Sequence, residues 1–316
     1  MNHTHRIAYT TKIVNICNYV QQPLWWRYER RRLLLPLRLR RVADRIFRSY
    51  EVWRVSQGVT RVLGPRFSRS RTLLEIDLTY VCSLRCEGCN RSLDKAPSNE
   101  SVSPEQIDQF IEESVRGGHC WKGIRILGGE PTLHPKFLAI LEALRQYKKT
   151  YRPKMNITVV SNGYSERTRS ILKKIPKDIL VENTSKISTV QVDFTPFNRA
   201  PRDFPEHARS DFRNGCWITK GLGMGLTPGG YYYCAIAGGI DRIFNFKLGR
   251  MSIPDPGDPL YEQFTALCAL CGHFCIQPPL ATPEDGLSDS WRDAYAAWDD
   301  RKRATLGTQN KSVHKQ

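Results

Sequence analysis

The sequence predicts an α/β fold, a partial (β/α)6 TIM-like barrel followed by a small module built from a β-hairpin and a short helix. Three observations carry this expectation. Between residue 71 and about residue 200, short β-favouring runs alternate with helical patterns, the arrangement that gives a parallel sheet. Cysteine-rich, glycine-rich or polar stretches follow these runs, as they do where functional loops gather at the C-terminal rim of a barrel. Further on, Pro228-Gly229-Gly230 leads into Tyr231–Tyr233, and a C-x2-C pair follows at Cys268 and Cys271. The expected divisions are a basic, Arg-rich helical region at 1–70, the barrel at 71–210, the hairpin module at 211–280 and a polar tail at 281–316.

Residues 1–28 carry no acidic side chain, and they lack the Arg and Ser richness of a transit peptide. From Pro36 the pattern becomes helical. Leu39, Val42, Ala43, Ile46, Tyr50 and Trp53 recur at three- and four-residue steps, with Arg38, Arg41, Arg45 and Arg48 toward the other side. Trp25, Trp26 and Leu33–Leu35 add apolar weight upstream. Residues 27–71 hold 14 Arg and no Lys against Glu29, Asp44 and Glu51, so +11 of the chain's +17 sits in this segment. Three partners suit such a helix: the body of the protein against its apolar face, an anionic membrane surface reached through residues 27–71, or an acidic or phosphorylated substrate drawn by long-range charge. Nucleic acid is not expected, because no nucleic-acid module accompanies the charge. No apolar run reaches about 18 residues, so no transmembrane helix is expected. Ten cysteines without a secretory signal point to a reducing, cytoplasmic compartment, with peripheral attachment at the inner membrane surface as the membrane variant.

Leu73–Leu78 reads as the first strand. Ser103-Pro104-Glu105-Gln106 has the form of a capping box with proline at the first helical position, and Ile107, Phe110, Ile111 and Val115 make the apolar stripe of the helix it opens. Gly117-Gly118 ends that helix. Gly123–Leu127 is the second strand, His134–Tyr147 a helix, Ile157–Val160 the third strand, Glu166–Lys174 a helix, and Thr189–Phe194 another strand. Near the C-terminus a short helix is expected around Trp291–Arg303.

The chemistry concentrates after the first strand, at Cys82, Cys86 and Cys89, spaced C-x3-C-x2-C. Zinc sites more often use C-x2-C pairs and four ligands. A disulfide framework does not suit a chain of this length without paired, secretory-style cysteines. Three thiolates on one loop can instead hold an iron–sulfur cluster, and one fewer than the full set leaves an iron open to a small molecule. About 40 residues downstream stands Leu127-Gly128-Gly129-Glu130-Pro131-Thr132-Leu133-His134-Pro135.

In this order, the two stretches resemble the radical S-adenosylmethionine superfamily. The resemblance implies a [4Fe–4S] cluster on Cys82, Cys86 and Cys89. It implies that Gly128, Gly129, Glu130 and Pro131 hold the amino group of S-adenosylmethionine, and that Ser161 and Asn162 contact its ribose or carboxylate. A plain Asn-Gly turn is the alternative reading for the last pair. Asp193, with Thr195 and Asn198, is expected near the cofactor or substrate. The family often has an aromatic residue before the third cysteine, packing near the adenine; this chain has Gly88, which leaves Tyr80 or a later strand for that task. Cys17 and Cys120 fall outside any ligand spacing.

The remaining thiols are Cys216, Cys234, Cys268, Cys271 and Cys275. The first four resemble the twitch-type module that holds an auxiliary [4Fe–4S] cluster, and a four-cysteine zinc ribbon is the alternative. Cys275 is a ligand, a spare, or a hydrogen-atom donor with a catalytic role. The implied activity is reductive cleavage of S-adenosylmethionine to a 5′-deoxyadenosyl radical, which abstracts hydrogen from a carbohydrate-like or other polar small molecule or glycan, in an oxidation or epimerisation. A reducing donor such as flavodoxin or ferredoxin is implied with it. Two alternatives remain open, a peptide-modifying maturase and a non-catalytic zinc or iron–sulfur protein with a basic arm.

Overall fold

The computed structural model describes residues 36–190, 197–274 and 286–313. Six strands form one sheet in the order β4-β3-β2-β1-β5-β6. They are β1 (Leu73–Thr79), β2 (Gly123–Gly128), β3 (Asn156–Ser161), β4 (Leu180–Asn183), β5 (Met224–Thr227) and β6 (Gly230–Tyr232). The first five run parallel to their neighbours and β6 returns antiparallel to β5. The α/β class and the predominantly parallel sheet are as expected, and so are the first three strands.

The helices along the chain are α1 (Leu37–Arg54), α2 (Gln57–Leu63), α3 (Pro104–Arg116), α4 (Phe137–Tyr151), α5 (Glu166–Leu172), α6 (Trp217–Gly221), α7 (Ala235–Phe244), α8 (Tyr261–Cys268) and α9 (Asp289–Val313). Helix α3 starts as its sequence dictates. Gln106 N–H donates to Ser103 Oγ and Ser103 N–H to Gln106 Oε1, at 3.2 and 3.0 Å. Alternation along the strands sends Leu74, Ile76, Leu78, Ile124, Ile126, Ile157 and Val159 to one face, where they bury against Ile107, Phe110, Leu141 and Leu144 of α3 and α4. The intervening residues, Glu75, Asp77, Thr79, Arg125 and Thr158, therefore line the opposite face.

Four features differ from expectation. The hairpin is not a separate module: β5 pairs directly with β1, Leu74 opposite Met224 and Ile76 opposite Leu226, so it extends the barrel sheet. Strand β4 was not foreseen. The helix expected near Trp291–Arg303 forms as the longer α9, and it packs on the body: Trp291 is fully buried, donates its indole N–H to Leu270 O at 2.7 Å, and meets Phe197 and Phe244 edge-on. Finally, α1 forms, but its apolar stripe does not pack on the body. Ile46 is 65% exposed and Trp53 54%. The proposed strand at 189–194 lies largely outside the described residues, as do Trp25, Trp26 and Leu33–Leu35.

Candidate iron–sulfur and S-adenosylmethionine site

The C-terminal end of β1 delivers the loop bearing Cys82, Cys86 and Cys89, all half-buried. The Gly-Gly-Glu turn after β2 packs directly beneath it. Gly129 N–H donates to Thr79 O at 2.7 Å and Glu130 N–H to Val81 O at 2.9 Å. Gly128 takes φ of +121°, and a Cβ there would stand 2.5 Å from Thr79 O; one on Gly129 would stand 2.3 Å from Val81 O. The two glycines are thus required by the backbone of the cysteine loop itself.

Burial pushes the Cys82 thiol up to about 12, and its neighbours Cys89, Glu130 and Cys86 push the same way. Cys89 is raised too, first by burial. Close, mutually repelling thiols in a dry loop hold their protons until a cation replaces them. Three such ligands on one loop, one fewer than a fully protein-ligated cluster takes, fit the cluster that the sequence implied.

Glu130 is held by the protein on several sides. Its carboxylate is fully buried, and protein donors already occupy it. Oε1 accepts from Thr132 N–H (3.2 Å), Thr132 Oγ1 (2.7 Å) and Ser161 Oγ (2.9 Å), while Oε2 accepts from Ser161 Oγ (3.0 Å) and Asn162 N–H (2.8 Å). This side chain ties the β2 turn to the tip of β3. Asn162 then reaches the cysteine loop, its Nδ2 lying 3.4 Å from Ser83 Oγ and 3.9 Å from Cys82 Sγ. Ser161 and Asn162 therefore do more than make an Asn-Gly turn, although Gly163 does adopt φ of +62°.

Gly88 has φ of +66°, a left-handed conformation that an aromatic side chain would strain, which accounts for its place before Cys89. Tyr80 is buried with the Arg242 guanidinium 4.8 Å above its ring, so that face is closed to an adenine. Asn198 is buried beside α9 and hydrogen-bonded to Tyr295. Asp193, Thr195 and Cys275 lie outside the described residues. Cys120 is exposed and apart, as expected.

Sequence reading missed a buried ionic group that joins the cysteine loop to the sheet. Arg91 grips Asp77 through Nε (3.0 Å to Oδ2) and Nη2 (2.8 Å to Oδ1), with Glu75 Oε2 at 3.7 Å. Glu75 also pairs with Arg125, and Arg125 with Glu182 at 3.2 Å. Burial opposes the Arg91 charge, but Asp77 more than offsets it and the pKa is raised. The signal available was polar alternation, Glu-Ile-Asp-Leu-Thr, on a strand whose other face is wholly apolar.

Cys216, Cys234, Cys268 and Cys271 are all buried and free. Cys216 is the residue before α6 and Cys234 the residue before α7; Cys268 ends α8 and Cys271 lies in the turn that follows. Cys234, Cys268 and Cys271 each feel the charge of at least one other member of the set, and burial raises all four, Cys216 to about 11. Backbone donors already point at three of the sulfurs, Ile218 and Thr219 N–H to Cys216, Ala237 N–H to Cys234 and His273 N–H to Cys271, while the Cys268 thiol donates to Tyr233 Oη at 3.1 Å. Four buried thiols, three with such donors, fit a fully thiolate-ligated centre. Among the described residues, no three His, Cys, Asp or Glu side chains are gathered closely enough to hold a single ion. Burial, then the Arg91 charge, lowers neighbouring His273 to about 4, so it stays neutral between the two thiol sets.

Residues 76–181 match the model of the Radical SAM superfamily. Over 116 residues the chain is 28% identical to a protein named probable GTP 3′,8-cyclase from Thermococcus kodakarensis, covering 37% of this chain and 34% of that one. The GTP 3′,8-cyclase of Haemophilus ducreyi is 33% identical over 104 residues, 32% of this chain and 29% of the relative. The chain thus spans about a third of the curated relatives it matches. Among solved structures, BtrN in complex with AdoMet and 2-DOIA aligns with a TM-score of 0.40 and 13% identity, over 65% of this chain and 94% of that one. The family's cofactors are a [4Fe–4S] cluster and S-adenosylmethionine. Through its cysteine loop and its Gly-Gly-Glu turn, the stretch at residues 76–181 is a radical SAM superfamily domain.

Proposed function

We propose that this protein is a radical SAM enzyme with two iron–sulfur centres, acting on a polar small molecule held against the charged face of its sheet. The observation that carries the reading is the pair of separate thiol sets in one body, three on the β1 loop and four around α6–α8. When bound, the first cluster and S-adenosylmethionine supply a one-electron reductive cleavage that yields a hydrogen-abstracting radical. The chain's own residues would orient and exclude water. Asn162 and the Gly128–Gly129 turn fix the loop, Arg91 anchors it to Asp77, and the second thiol set offers a centre without an open ligand position, suited to electron transfer. Flavodoxin or ferredoxin chemistry is the expected source of the electron.

For the substrate, three carboxylates (Glu75, Asp77, Glu182) and two guanidiniums, each already paired, occupy the described part of the charged face. That balance supports a hydroxyl- or amine-bearing molecule, carbohydrate-like or aminocyclitol-like, and an oxidation or epimerisation. The relatives' names support a second reading, GTP as substrate and a cyclisation as reaction. Reconstituted protein under dithionite separates them. Cleavage of S-adenosylmethionine to 5′-deoxyadenosine tests the class, and a GTP-dependent rise in that cleavage with consumption of GTP selects the second reading. Iron analysis tests the centres, with about eight irons expected and about four after Cys82, Cys86 and Cys89 are replaced by Ala. Zinc in place of the second four would refute the auxiliary cluster.

A further inference from the structure

Helix α1 has two faces that its docking on the body keeps apart. At about 100° per residue, Leu39, Val42, Ile46, Tyr50 and Trp53 fall within an arc of roughly 80°. Their exposures are 54, 53, 65, 39 and 54%. Glu51 and Val55, roughly 140–180° round the axis, are the buried side. Glu51 pairs with Arg66 at 2.5 Å, Val55 O accepts from Asp211 N–H at 2.7 Å, and Gln57 N–H donates to Arg209 O at 2.9 Å. The helix is thus fixed to the protein by its polar back while its apolar stripe faces away. Exposed Val62 (81%) and Leu63 (59%) of α2 extend the apolar surface. Exposed Arg38 and Arg45 stand on one flank, roughly 80–100° from the middle of the stripe, with exposed Arg41 farther round on the same side.

We propose that α1 is a docking face for an anionic lipid surface, on which the enzyme sits with the stripe at the level of the headgroups. The charge is complementary to phosphate, and long arginines beside an apolar stripe with Tyr and Trp have the form of a helix lying in a membrane interface. A second copy of the chain suits the face poorly, because the arginine flanks would meet each other. Nucleic acid would leave the apolar arc in water. No helix among the described residues is long and apolar enough to cross a bilayer, so attachment is from one side. This inference concerns where the protein works and stands apart from the choice of substrate.

Flotation of the full, iron-loaded chain with vesicles tests it, comparing phosphatidylcholine alone with phosphatidylcholine containing phosphatidylglycerol. Binding to the anionic vesicles only, lost at about 0.5 M KCl, is the expected result. The R38S/R41S/R45S variant should weaken it on the order of 100-fold, taking each arginine at the surface value. Ile46→Asp should weaken it at least about 10-fold by removing apolar contact, with iron content and circular dichroism unchanged. Absence of flotation with anionic vesicles overturns the proposal, as does equal binding to both vesicles. Two further outcomes also overturn it. One is a lipid-free dimer in sedimentation velocity that Trp53→Asp abolishes, which assigns the face to a second copy. The other is Trp53 fluorescence, isolated by difference from Trp53→Phe, already shielded from acrylamide in the lipid-free monomer, which assigns the face to residues 1–35.

Discussion

Replacing Glu130 distinguishes a brace from a ligand-binding group. In Glu130→Gln, one carboxylate oxygen becomes an amide nitrogen. If it replaces Oε2, Asn162 N–H loses its acceptor; if it replaces Oε1, Thr132 N–H and Oγ1 lose theirs. Either way a buried donor faces another donor, at about 1–3 kcal/mol for each group left unsatisfied. At about 3 °C per kcal/mol for a chain of this order of size, the iron-loaded protein without S-adenosylmethionine should melt about 5–10 °C lower. Glu130→Ala, which strands every donor and leaves a cavity, should fall further. The assay is anaerobic differential scanning fluorimetry beside equilibrium dialysis with labelled S-adenosylmethionine. A melting temperature within about 2 °C of wild type, together with a tenfold loss of S-adenosylmethionine affinity, would refute the argument. The carboxylate would then serve the ligand and not the fold.

Other substitutions test the remaining contacts. Arg91→Met strands Asp77 and Glu75 and should cost about 3–5 kcal/mol by chemical denaturation. Burial raises the Glu75 pKa, and Arg125 and Arg91 oppose that rise. Removing Arg91 lifts the titration further, so the variant should lose stability relative to wild type as pH rises above the ordinary carboxylate range; a pH-independent loss would contradict this. Gly129→Ala, whose Cβ would meet Val81 O at 2.3 Å, should displace the cysteine loop and lower the iron count by about four while leaving the second site loaded. Trp291→Phe leaves Leu270 O, between Cys268 and Cys271, without its indole donor, and should cost about 1–3 kcal/mol and speed chelator removal of iron from the second site.

The parts of the fold legible in the sequence are those that local rules govern. The capping box at Ser103–Gln106 and the alternation in Leu73–Leu78 place their elements because neighbours in the chain determine them. Strand β4 carries only four residues, Leu-Val-Glu-Asn, with no alternation to announce it. The seat of the hairpin beside β1 depends on pairing across about 150 positions, which no local pattern encodes. At the site, cysteine spacing singled out the candidate ligands and the motif singled out Glu130, but the donors that hold Glu130, from Thr132, Ser161 and Asn162, belong to separate stretches that no local pattern joins. The stripe of α1 was legible as a stripe; which side of the helix meets the body was not, since Glu51 and Val55 on the opposite side make that contact.

The position of β1 in the sheet has a consequence for synthesis. Its partner β2 follows within about 50 residues, whereas β5 emerges about 150 residues later, roughly 10–30 s behind at ordinary rates of translation. Closing a loop of that length costs about 4–5 kcal/mol of chain entropy before any pairing repays it. The nascent chain thus presents Cys82, Cys86 and Cys89 well before Cys216, Cys234, Cys268 and Cys271 exist. A circular permutant that begins just before Cys216 would reverse that order while keeping every strand pair.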